Sequence, residues 1–119
     1  MPGPLHNLSE LTSQVMDFAL SLYRQQGSDR DAYISSITDF MELRGLNDRR
    51  TARNQIHAFI ECMYHLTIRR KGLNGIETEF RVISEKTKLN SHGDMAIYFT
   101  PRFKTLLKTA VPMPYHTSI

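Results

Sequence analysis

The chain has 119 residues and a mass of 13.8 kDa, enough for one domain whose folding removes roughly 65% of the unfolded surface from water, and too little for two of ordinary size. With 40% hydrophobic and 23% charged residues it is globular rather than fibrous or disordered, and no apolar run nears the roughly 18 residues of a membrane-spanning helix. The net charge of +3 is unevenly placed: residues 1–47 carry three basic and six acidic side chains, residues 48–119 twelve and six, so a polyanion-binding face is expected on the C-terminal part.

Met1 to Ser9 lacks the basic-then-apolar order of a signal peptide, and the single cysteine, Cys62, excludes an internal disulfide and a four-thiolate zinc site. A reducing, cytoplasmic setting is expected. Residues 1–8 read as a flexible leader. A first helix is predicted from Asn7 or Ser9, where Asn7 and Glu10 have capping-box spacing; Leu11, Val15, Phe18 and Leu22 form its apolar stripe and Gly27 closes it. Asp31-Ala-Tyr-Ile34 reads as a short edge strand. Ser35 or Ser36 caps a second helix bearing Ile37, Phe40 and Met41, which Gly45 ends. Asn47 or Asp48 then caps a third, on which Ala52, Ile56, Phe59, Ile60 and Met63 share a face. Helix, short Gly-containing turn, helix is the helix-turn-helix pattern.

After Met63 the period changes from 3.6 to 2. Three antiparallel strands are predicted at 66–70, 78–85 and 94–99, separated by the turns Gly72-Leu-Asn-Gly75 and Asn90-Ser-His-Gly93. Thr100 and Pro101 open a short helix faced by Phe103, Leu106 and Leu107; Val111 to Tyr115, interrupted by prolines, reads as an extended tail. The predicted fold class is therefore α+β: a winged helix-turn-helix over residues 9–110, three N-terminal helices followed by a three-stranded antiparallel sheet and a short helix. Residues 111–119 are a tail or a linker to a further domain.

On a helical wheel Arg50, Arg53, Asn54, His57 and Glu61 fall opposite the apolar face of the third helix. Arginine's planar fork bonds both acceptors of guanine, and asparagine does the same for adenine, so this face suits duplex DNA. Arg49, Arg50 and Arg53 occupy the first turns, where they oppose the helix dipole; a purely structural helix would place acids there. A second basic group comprises Arg69, Arg70 and Lys71 before the Gly-rich turn, with Lys86 and Lys88 on the later hairpin, a wing suited to phosphates. Lysines on exposed hairpins also simply block edge-to-edge aggregation. His57, Glu61 and His65 share a helical stripe but lack a converging fourth ligand, so no metal is expected. There is no Gly-x-x-x-x-Gly-Lys loop, no His-x-His pair beside Tyr23, Tyr33, Tyr64, Tyr98 or Tyr115, and no two-metal cluster of acids. Neither an enzyme nor a cofactor is expected.

The stretch Tyr33 to Leu46, with Arg49-Arg-Thr-Ala-Arg53 and Phe59 to Leu66, resembles the helix-turn-helix of plasmid replication initiators of the theta type. Gly93 to Phe99, Thr100-Pro-Arg-Phe103, Leu106-Leu107 and Met113-Pro-Tyr115 resemble the end of their first winged helix, so the likeness spans roughly residues 30 to 116. The resemblance implies binding to double-stranded DNA at an origin, pairing as a homodimer and contact with replication-machinery proteins, with no membrane role. Such initiators carry two tandem winged helices; one is expected here, as an N-terminal fragment or a stand-alone relative. A transcriptional regulator of the same fold, and a dimerisation or protein-interaction module without a DNA role, are the alternatives.

Overall fold

A computed structural model describes residues 4–28 and 30–110; the expected tail at 111–119, with its Met113-Pro-Tyr115 motif, lies outside them. In chain order the elements are helix α1 (Pro4–Gln26), strand β1 (Tyr33–Ser36), helices α2 (Ile37–Arg44) and α3 (Arg49–His65), strand β2 (Thr67–Lys71), a 3-10 turn (Leu73–Gly75), strands β3 (Glu77–Arg81) and β4 (Asp94–Ile97), and helix α4 (Pro101–Ala110). The first helix thus begins at Pro4 rather than at Asn7 or Ser9, and residues 4–8 of the expected leader are its opening turns. Proline suits that position, since the first N–H of a helix has no intrahelical partner to lose.

The apolar stripe of α1 is buried as expected, with Val15, Phe18, Ala19, Leu22 and Tyr23 in the core. Gly27 adopts φ +94° and donates its N–H to the Tyr23 carbonyl, ending the helix. Two side chains then fasten β1 to that end. The Tyr33 hydroxyl donates to the Gly27 carbonyl at 2.6 Å, and the Gln26 amide both donates to the Ile34 carbonyl and accepts from the Ile34 N–H. The Gln26 side chain therefore behaves as a peptide group and occupies the outer edge of β1, which would otherwise offer unpaired backbone groups.

Ser36 caps α2 by accepting from the Asp39 N–H, and Asp48 caps α3 by accepting from both the Thr51 N–H and the Thr51 hydroxyl. The Thr51 hydroxyl bond, followed by its N–H bond, holds the Asp48 carboxyl below the usual carboxylate range. A carboxylate whose pKa is lowered by folding contributes above its unfolded value, here 3.8, and loses that contribution as pH falls through the folded value. Replacing Asp48 by Asn should therefore lower the melting temperature at neutral pH and leave it nearly unchanged at pH 2, a difference that thermal melts at the two pH values read directly. Gly45, at φ +67°, closes α2, and the Leu46 N–H returns to the Met41 carbonyl.

The core is organised by two aromatic groups. Phe18, Phe40 and Phe59, from α1, α2 and α3, meet edge-to-face with centroids 5.2–5.7 Å apart. Tyr23, Tyr33, Phe99 and Phe103 form a chain that links α1 and β1 to the start of α4.

The expected three-stranded sheet is instead two two-stranded antiparallel sheets, β1 with β4 and β2 with β3. The edge strand expected at 31–34 lies two residues later and pairs Tyr33 with Ile97 and Ser36 with Asp94. The run expected at 78–85 divides. Its first part, β3, pairs with β2; beyond it Thr100 N–H bonds the Val82 carbonyl, Ser84 N–H bonds the Tyr98 carbonyl, and Ile83 bridges Phe99. The physical reason lies in two successive residues. Val82 and Ile83 are both buried, and a regular strand cannot turn neighbouring side chains to one side, so the backbone bends there and exchanges partners.

The Asn90–Gly93 turn is held by the Asn90 side chain, which accepts from the His92 and Asp94 N–H groups, and Gly93 O accepts from Ile37 N–H at the start of α2. Gly93 has φ +80°, and a Cβ there would stand 3.0 Å from Ile37 Cγ2. Gly93→Ala is expected to cost about 2 kcal/mol, from the left-handed backbone and this overlap, and so to lower the melting temperature by roughly 5–10 °C.

Candidate nucleic-acid interface

The third helix is amphipathic in the required sense. Ala52, Ile56, Phe59, Ile60 and Met63 are buried against the body, while Arg49, Arg50, Arg53 and Asn54 are exposed and His57 is half-buried. None of the side chains of Arg49, Arg50, Arg53, Asn54 or His57 has a hydrogen-bond or ion-pair partner among the described residues. The first turn of α3 carries no acid of its own; only the capping Asp48 faces its positive dipole end. The 90–93 turn packs beside this end, with an Arg49 guanidinium nitrogen 3.6 Å from where a Gly93 Cβ would sit. The result is a ridge of donors with no internal acceptor, standing on a buried apolar back.

The second basic group divides. Arg70 and Lys71, late in β2, are exposed and unpartnered among the described residues. Arg69 is not: its Nε lies 2.7 Å from Glu79 Oε2 directly across the hairpin, with the arginine side chain 77% exposed. Lys86 is also engaged, 2.9 Å from Glu61 Oε2 on α3 and over the Tyr64 ring at 5.3 Å. The Lys86 hydrogen bond is the main reason the Glu61 carboxyl sits below its ordinary range; His65 adds to it from 3.3 Å. Exposed pairs of this kind add little stability, but they cancel charge that a phosphate would otherwise meet. Lys86 and Lys88 belong to the long connection between β3 and β4, not to the β2–β3 hairpin. Lys88 is exposed beside Ile34, Asn90 and Ala96, on the β1–β4 side of the molecule.

Two cations that residue patterning did not single out shape the same region. Arg81 donates to the Tyr64 carbonyl near the end of α3 and stacks on the Tyr64 ring at 4.9 Å, which fastens the hairpin's base to the helix. Arg102 of α4 stacks on Phe80 at 5.3 Å and reaches Thr78. Together with Arg70, Lys71, Thr105 and Leu106 it lines a groove of about 510 Å³ between hairpin and α4. Arg81 stood in the alternating run beside Phe80, and that period placed it outward, but nothing local indicated that it would meet Tyr64. No helix of the described residues is long and apolar enough to cross a membrane.

Helix, turn, amphipathic helix and a following antiparallel hairpin define the fold as a winged helix. The comparison with solved structures agrees. The chain is similar to the WH1 domain of MSBI1.176, a replication protein isolated from a multiple sclerosis patient, with a TM-score of 0.64 and 16% identity over 87% of this chain and 83% of that one. At that identity the likeness establishes the fold. No protein-family model matches the chain, and no curated protein matches it.

Proposed function

We propose that this chain is a double-stranded-DNA-binding domain of a replication protein, of the kind that initiates replication of a plasmid or other mobile element. In this reading α3 faces the major groove with Arg50, Arg53 and Asn54 directed to base edges, and Arg49, Arg70 and Lys71 neutralise phosphates. The observation that carries it is the exposed, unpartnered set Arg49, Arg50, Arg53 and Asn54 at the N-terminal turns of the second helix of a helix-turn-helix, the part of that motif that approaches bases. The replication role is supported by the shared fold with a replication protein's winged-helix domain. A homodimer, replication-machinery partners and a cytoplasmic setting belong to the same reading, as does the absence of catalysis and cofactor.

The test is a titration of labelled duplex at several salt concentrations. With about five phosphates neutralised, log K should fall against log salt with a slope of about −4 to −5. A flat dependence, or no binding at low salt, overturns the proposal.

A further inference from the structure

The β2–β3 hairpin ends in a feature that phosphate binding does not use. Leu73 is 87% exposed and Ile76 61%, the most exposed large hydrophobic side chains among the described residues. The turn itself requires neither: Asn74 (φ 58°) and Gly75 (φ 72°) supply its left-handed backbone, which leaves positions 73 and 76 open to polar residues. Nor is the tip a loose loop. Gly75 N–H bonds the Gly72 carbonyl, Ile76 N–H bonds the Leu73 carbonyl, and Gly72 N–H bonds the Ile76 carbonyl at 2.7 Å. Two apolar side chains are thus held out in water on a backbone that keeps its own shape.

Their surroundings are cationic. Residues 67–81 carry four basic and two acidic side chains. Glu79 is bonded to Arg69 and Glu77 stands across from Lys71, while Arg70 is unopposed by an acid and Arg102 of α4 adds a further positive charge beside Thr78. An apolar point within a positive collar fits a surface that is anionic outside and apolar within. Stacked base pairs between phosphates have that character. A second copy of this chain does not, because two such tips would bring like charges together.

Size decides the groove. Ribbon strands stand about 4.8 Å apart before side chains are counted, so the hairpin as a whole is too wide for a minor groove of about 6 Å, whereas one leucine side chain enters it. We propose that the hairpin tip is a wedge for duplex DNA: Leu73 enters the minor groove and partly unstacks a base step, Ile76 packs against the adjoining sugars, and Arg70 and Lys71 hold the flanking phosphates. This inference rests on the reading of the chain as DNA-binding and adds that the DNA is deformed; wedges of this type kink a duplex by about 20–90°.

The experiment uses the full chain and A·T-rich duplexes, reading permanganate reactivity of unstacked thymines and end-to-end distance by fluorescence transfer. Binding should raise thymine reactivity and shorten the distance. The Leu73→Ser/Ile76→Ser variant should lose both effects while retaining the salt slope and binding within about tenfold of the parent; its circular dichroism melt should be unchanged, since neither side chain is packed. Unstacking and shortening that persist in the variant overturn the wedge, as does parent binding to duplex without either effect. Loss of self-association in the variant without DNA, seen by sedimentation, overturns it in favour of a contact between copies; tip-dependent binding to anionic vesicles overturns it in favour of a lipid surface. If the parent chain binds no duplex at low salt, the DNA-binding reading fails, and the wedge with it.

Discussion

Replacing Arg50 and Arg53 together by alanine should weaken duplex binding by about 30- to 1,000-fold at moderate salt, at roughly 1–2 kcal/mol for each charged contact removed. The salt slope should become shallower by about two, because each lost phosphate contact removes about 0.9 from it; base contacts would reduce affinity with less change of slope, so the two readouts separate the roles. Both side chains are exposed and make no contact within the described molecule, so the melting temperature should hold or rise slightly, since cations at a helix start oppose its dipole. Arg24→Ala, which removes an exposed charge on α1, is the control for net charge alone. A double variant that binds as tightly as the parent would remove α3 from the interface.

The second large effect lies in the support beneath that helix. Phe59→Ala should cost about 4 kcal/mol and lower the melting temperature by roughly 15 °C. Phe59 is 1% exposed and meets Phe18 and Phe40 edge-to-face, so its removal leaves a cavity where α1, α2 and α3 converge. The Arg44 guanidinium over the same ring loses its platform as well. Against a domain stability of about 5–15 kcal/mol this is a large fraction, and DNA affinity should fall with it through partial unfolding. Below the melting transition, affinity should recover on cooling. That recovery distinguishes a support residue from a contact residue, since Arg50→Ala/Arg53→Ala would stay weak at every temperature.

The residues that read correctly in one dimension did so because the forces on them are local. Ser36 and Asp48 cap their helices through donors three residues away, Gly45 ends α2 by its own left-handed backbone, and Asn74-Gly75 turns the hairpin. The buried stripes of α1 and α3 follow from periodicity, and so does the exposure of Arg50, Arg53 and Asn54, because an apolar face fixes what its opposite does. The start of α1 was less legible, since a helix can extend through a plausible cap when its first turns cost little.

What the chain's order by itself determined is which segments are helical or extended, where they stop, and which side of each turns inward; these depend on neighbours within four residues. Only the tertiary structure decided that β1 joins β4 across some sixty positions, that the chain bends at Val82 and Ile83, and that Glu61 and Glu79 neutralise Lys86 and Arg69 while Arg70 and Lys71 stay free. Strand partners and ion pairs are choices among many distant groups, made by how the whole core closes, and that selection leaves no periodic trace in any one segment.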